Sequence, residues 1–220
     1  MNALDITTAK QARLTPMMAQ YISVKEQYQE MLLFYRMGDF YEMFFHDAEV
    51  AAEALGIALT HRGKIEGRDI AMCGVPVHAL DGYLARLIQK GHKVAICEQS
   101  ETPETFKQKG GKGPLPRSVV RVVTPGTLQE DELLQAQKHN FLAAIGRVSA
   151  DLAIAWADMS TGDFFVQPCT ESDIETVLAR LQPAELIYAD DLAERMGFVQ
   201  SDLSMHCHLS AEASALFDHK

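Results

Sequence analysis

Cysteine is scarce in this chain, and its positions are scattered. Cys73, Cys97, Cys169 and Cys207 form no CxxC pair. That excludes a disulfide-framework domain and the usual zinc and redox motifs. The tract His206-Cys207-His208 has no second Cys/His cluster to complete a metal site, and it reads as a chance surface run. No apolar run approaches membrane-spanning length. The start, MNALDITTAKQARLTP, lacks the apolar stretch of a secretory signal. A reduced, cytoplasmic protein with ordinary buried thiols and no membrane contact is expected. Catalytic motifs are missing as well. GGKGP lacks the leading glycine of a phosphate-binding loop and precedes no helix, and there is no GxSxG or HExxH. Nothing resembles a nucleotide-hydrolysis or acyl-transfer site, and there is no internal repeat.

What is present is enough for a substantial core. The 220 residues are 47% hydrophobic and 23% charged, which suits one or two domains. The net charge of −10 argues at first against a polyanionic partner, but the average hides an asymmetry. Residues 1–117 hold 14 acidic and 14 basic side chains, and residues 118–220 hold 16 and 6. A neutral half joined to a strongly acidic half points to two modules with different partners.

The pattern along the chain is mixed α/β. Residues 1–14 are polar and expected to be loose. Thr15-Pro16 opens a helix as N-cap and first helical residue, with Met18, Tyr21 and Ile22 as its buried stripe. MLLFYR reads as a central strand, Met37-Gly38-Asp39 as a turn, and FYEMFF as a second strand or a helix entry. HDAEVAAEALG is a helix stopped by Gly56. IALT is strand-like, HRGKIEGRD a charged loop, and HALDGYLARLIQKG an amphipathic helix with Leu80, Leu84, Leu87 and Ile88 on one side. KVAICEQ is a further strand. FKQKGGKGPLPR, with three glycines and two prolines, reads as a linker and places a domain boundary at 117/118. Beyond it, three apolar runs with a turn at Ser160–Asp163 form an antiparallel meander. A helix, ESDIETVLARLQP, and a strand, AELIYAD, follow. That order resembles a ribonuclease-H-like layout.

The stretch RMGDFYEMF carries the distinctive chemistry. In a strand, residues two apart share a face, so Phe40 and Glu42 project together and Tyr41 points the other way. An exposed aromatic can wedge into a duplex. Unstacking a base step costs a few kcal/mol, less at a mispaired site, and stacking on a base returns roughly 1–3 kcal/mol. A carboxylate beside it repels intact DNA but can accept from, or when protonated donate to, a free base edge. The competing reading makes Phe40 a core residue and Glu42 a solvated edge residue, in a scaffold that binds proteins rather than DNA. A third reading gathers Asp151, Asp158 and Asp163 around a metal ion for phosphodiester hydrolysis.

Several ordered blocks then match a known family. TPMM, LLFYRMGDFYEMF, LTHRG, GVPVHALDGYLARL, VAICEQ and VVRVVTPGT, with PAELIYA further on, strongly resemble the amino-terminal part of the MutS family of bacterial DNA mismatch-repair proteins. The likeness is dense over about residues 14–130. It implies a mismatch-recognition domain over 15–117 and a ribonuclease-H-like connector domain over 118–220. By that resemblance Phe40 enters the minor groove of mismatched double-stranded DNA and stacks on a mispaired base, Glu42 hydrogen-bonds that base, and Gly38 and Asp39 shape the approach. Arg62 falls on the family's DNA-contacting arginine, with Met72 and the GVP loop close to the wedge. Lys64, Arg68, Lys107, Lys109 and Lys112 are candidate phosphate contacts. The resemblance further implies a connector that relays to the ATPase region and docks a MutL-type partner. The family's clamp and ATPase regions have no counterpart in these residues. The segment is therefore expected to need no cofactor, with ATP and Mg belonging to the absent region. It is also expected not to hydrolyse ATP, and to be a monomer where the full-length family forms a homodimer on the nucleoid.

Overall fold

The computed structural model describes residues 14–128, 139–148, 151–192 and 207–217. They form two compact units that divide between Val123 and Thr124.

The first unit is a six-stranded mixed sheet with helices. Its strands are β1 (Leu32–Met37), β2 (Phe40–Phe44), β3 (Thr60–Ile65), β4 (Arg68–Pro76), β5 (Val94–Gln99) and β6 (Arg117–Val123), in the order β3-β4-β2-β1-β5-β6. Only β1 and β5 run parallel; the other pairs are antiparallel. The helices are α1 (Pro16–Lys25), α2 (Phe45–Leu55), α3 (Leu80–Gln89) and the short α4 (Pro103–Gln108). Thr15 caps α1, its hydroxyl accepting from the Met18 amide at 3.3 Å. That helix sinks Met18, Tyr21 and Ile22 into the core. Tyr21 meets Tyr35 and Phe44 edge-on, at centroid distances of 5.3 and 5.0 Å. Helix α2 follows β2 with no intervening loop. Phe45 makes the change of direction at a φ of 56°, a conformation rare for a bulky residue. In α3, Leu84, Leu87 and Ile88 are buried while Leu80 is half-buried.

Two expectations are corrected here. The stretch 61–69 is not a loop but most of a hairpin. Glu66 and Gly67 at its tip have φ of 50° and 79°, the pair of left-handed residues of a tight β-turn. Backbone pairing with β4 holds β3 as an edge strand, although only Ile65 of its six residues is buried. The boundary at 117/118 also shifts. Residues 117–123 pair with β5 from Gln99↔Arg117 to Val94↔Val123, so they belong to the first unit. Phe106–Gln108, read as linker, finish α4, which Thr102 caps.

The second unit has strands β7 (Phe141–Val148), β8 (Asp151–Asp158), β9 (Asp163–Cys169), β10 (Glu185–Ala189) and β11 (His208–Glu212), with helix α5 (Ile174–Leu181). The order is β11-β10-β7-β8-β9, a meander of β7, β8 and β9 with β10 and β11 added in parallel. Its core is built on Ala143, Ile145, Ile154, Leu178, Leu186 and Tyr188. Gly126 is packed so closely that a Cβ there would stand 2.6 Å from Leu142 Cδ1 and 2.9 Å from Glu185 Cβ. The four cysteines are unbridged; Cys73, Cys97 and Cys207 are buried, which corrects the surface reading at Cys207, and burial pushes the Cys73 thiol up to about 12. No helix among the described residues is long and apolar enough to cross a membrane.

A buried ion pair, Lys25–Asp47 at 2.9 Å, ties α1 to α2. Lys25 also donates to the carbonyls of Gln29 and Met31, and the Leu33 amide donates to Asp47 at 2.9 Å. Desolvation raises the Asp47 carboxyl above its ordinary value, against the opposing pull of Lys25 and that amide. Lys25→Ala leaves the carboxylate buried and unpaired, and denaturant unfolding should show a loss of about 3–5 kcal/mol at neutral pH. A raised folded-state value favours the native state below the unfolded value and loses that contribution as pH rises through the folded one. The deficit of Lys25→Ala should therefore shrink on acidification toward the raised Asp47 value. Gly126→Ala should destabilise the second unit by about 1–3 kcal/mol through overpacking, read from its unfolding transition.

Candidate nucleic-acid interface

The site begins with the two-residue turn between β1 and β2. Met37 pairs with Phe40, and Gly38 between them takes a φ of 63°. That value at the first central position suits the tight hairpin turns that match sheet twist. The Val77 amide donates to the Asp39 carbonyl at 3.0 Å, and Arg36 Nε donates to the Gly38 carbonyl. The turn is thus fixed from both sides.

Behind the turn, alternation along β2 sorts the side chains. Tyr41 is buried, and its hydroxyl donates to Glu98. Arg36 lies 5.5 Å over its ring and reaches Glu98 at 3.5 Å. Burial first, then the bond to Glu98, pushes the Tyr41 phenol up to about 12. With Tyr41 anchored inward, Phe40 and Glu42 must face the other way. Phe40 is 47% exposed, so its reading as a core residue is overturned.

Phe44 lies on the same face, under Tyr21 of α1. Toward Phe40 the face is open. Gly74 of β4 sits opposite Glu42, and Pro76 opposite Phe40. A Cβ on Gly74 would stand 3.7 Å from Glu42 Cγ and 4.0 Å from Phe40 Cδ1. The missing side chain therefore keeps the floor between ring and carboxylate low. Met72, two residues earlier, is half-buried opposite Phe44. The segment Gly74-Val75-Pro76, read as a loop, is the end of β4. Gly74 escaped the sequence reading as a site residue because only cross-strand register places it there.

Glu42 is not a bare carboxylate. Arg62 Nη1 donates to both of its oxygens, at 2.7 and 2.5 Å. The arginine side chain is 44% exposed and that of the glutamate 14%. The two residues meet across β4, where the β3–β4 register shifts between His61 and Lys64 and Gly63 takes a φ of 76°. Such a bulge re-aims a side chain.

The remaining candidates do not join this cluster. Lys64 pairs with Asp69 at 3.3 Å near the tip of the β3–β4 hairpin, beside the exposed Arg68. Lys107 on α4 and Lys112 beyond it are exposed, and Lys109 is held by Glu101 at 2.9 Å. This segment lies between β5 and β6, on the other side of β1 from Phe40.

The metal reading fails on geometry. Asp151 and Asp158 lie at opposite ends of β8, about 23 Å apart along a strand. Asp158 instead accepts from the Ser160 hydroxyl and amide and pairs with His139 at 3.1 Å. Those bonds, led by the Ser160 hydroxyl, hold its carboxyl below the ordinary value. Asp163 bonds Thr161. No group of three or more His, Cys, Asp or Glu side chains among the described residues can hold a metal ion.

Comparison with known proteins agrees with this architecture. Residues 15–132 match the model of MutS domain I, and residues 140–217 that of MutS domain II. The DNA mismatch repair protein MutS of Ruegeria pomeroyi is 61% identical over 178 residues, 81% of this chain and 20% of that protein. The protein of the same name from Cereibacter sphaeroides is 54% identical over 209 residues, 93% of this chain and 23% of that protein. The chain thus spans about a fifth of the length of these relatives, and its matches cover domains I and II rather than the ATPase region. With both domain models matched in order, the chain belongs to the MutS family of DNA mismatch-repair proteins.

Proposed function

We propose that these residues form the mismatch-sensing and connector portion of a DNA mismatch-repair protein acting on the bacterial chromosome, in the cytoplasm. The observation that carries this reading is the exposed Phe40 ring on a strand whose next residue, Tyr41, is locked inward. The ring enters the minor groove and stacks on one base. On matched DNA the wedge must break good stacking. At a mispair much of that cost is already met, so discrimination reads how easily the duplex deforms more than its sequence. Glu42 hydrogen-bonds the edge of the unstacked base, accepting from a ring N–H or, when protonated, donating to a ring nitrogen. Gly38 and Asp39 hold the ring's approach, Gly74 leaves room for the base, and Lys64, Arg68, Lys107, Lys109 and Lys112 supply phosphate contacts.

The second unit carries the acidic excess of the sequence, which disfavours DNA lying along it. We assign it the connector role: relay toward the family's ATPase region and docking of a MutL-type partner. ATP and magnesium, and the homodimer contact, belong to regions of the family outside domains I and II. The segment alone is then a monomer that needs no cofactor.

In the complete protein, Phe40→Ala should abolish the preference for a mispaired over a matched duplex in a binding titration. Its melting should stay close to the parent's, because a surface truncation costs within about 0.5 kcal/mol. Retained discrimination sinks the wedge. A loss of about 3–5 kcal/mol would instead mark Phe40 as core. Glu42→Gln should bind matched duplex as well as the parent or better, narrowing the preference; a wider preference would refute the repulsion argument.

A further inference from the structure

We propose that Arg62 is the selectivity-setting partner of Glu42, holding the carboxylate in the unbound protein and releasing it when a duplex phosphate competes for the guanidinium. The proposal rests on the reading of Phe40 and Glu42 above and extends it to a residue that would otherwise count as one more phosphate contact. Arg62 spends a single nitrogen, Nη1, on both oxygens of Glu42. Among the described residues, its Nε and Nη2 have no protein acceptor. The side chain is 44% exposed, so those N–H groups are open to a first phosphate contact, from which the guanidinium can turn away from the carboxylate.

Two consequences follow from charge alone. In the unbound state the shelf beside Phe40 is locally neutral, so Glu42 does not repel a duplex at first approach. Once Arg62 turns to a phosphate, Glu42 is left close to DNA without its cation. At a mispair a free base edge takes over the carboxylate. On matched DNA no base edge is free, and the exposed charge opposes docking. Phosphate contact and base inspection are then coupled through one guanidinium, where two independent contacts would merely add.

The test is a double-mutant cycle in the complete protein with Arg62→Ala, Glu42→Gln and the combined variant. Each is titrated against a matched duplex and one with a single mispair, at fixed salt. The proposal expects Arg62→Ala to weaken matched-duplex binding by about tenfold and mispair binding by clearly less, so that the preference widens. Adding Glu42→Gln should restore most of the matched-duplex affinity. Arg62→Lys keeps the cation and should return the preference toward the parent's even if Arg62→Ala lowers the melting temperature. An independent phosphate contact behaves differently: Arg62→Ala then weakens both duplexes by one common factor, in the parent and the Glu42→Gln background alike. That result overturns the proposal while leaving the wedge intact. Discrimination that survives Phe40→Ala brings down the reading of the site itself, whatever the cycle gives.

Discussion

The arrangement at the site depends on one burial, that of Tyr41. A strand presents successive side chains to opposite faces, so a residue fixed on one side dictates where both neighbours go. Tyr41 is fixed by its bond to Glu98, the guanidinium of Arg36 over its ring and the packing of Phe34 at 6.0 Å. The exposure of Phe40 and the position of Glu42 follow from that anchoring. A hydrophobic ring in water is unfavourable by itself, and it stays there because turning it inward would expel Tyr41.

The surrounding elements extend the same logic. Arg117 donates to the Arg36 carbonyl at 2.9 Å and lies 4.7 Å over the Tyr35 ring, so β6 braces the end of β1 that leads into the turn. The buried Lys25–Asp47 pair fixes α1 against the start of α2, and α1 in turn covers Phe44 while leaving the Phe40 end of the same face open. Stability and exposure are thus sorted along a single strand, over three side chains.

Much of this was legible in the sequence, for local reasons. Thr15-Pro16, Gly56 and the Gly38 turn act through their immediate neighbours, and strand alternation put Phe40 and Glu42 on one side and Tyr41 on the other. What stayed hidden was non-local. Strand β3 carries almost no apolar pattern, since backbone pairing with β4 and two left-handed turn residues hold it. Arg62 and Glu42 are twenty residues apart and meet only through the β4 register and a bulge. Lys25 and Asp47 look like surface charges until the fold buries them together. Residues 118–123 read as the start of a new domain because a glycine-rich stretch precedes them, yet their partner strand lies behind it.

Strand β2 is hydrogen-bonded on both flanks, to β1 and to β4. Phe40 therefore projects from the interior of a sheet and not from a free loop, and it has little compliance of its own. When such a stiff probe presses against a softer body, nearly all the strain appears in the softer one. On the wedge reading proposed above, the bending of the pair then measures the mechanical weakness of the duplex and carries little signature of the protein that touches it.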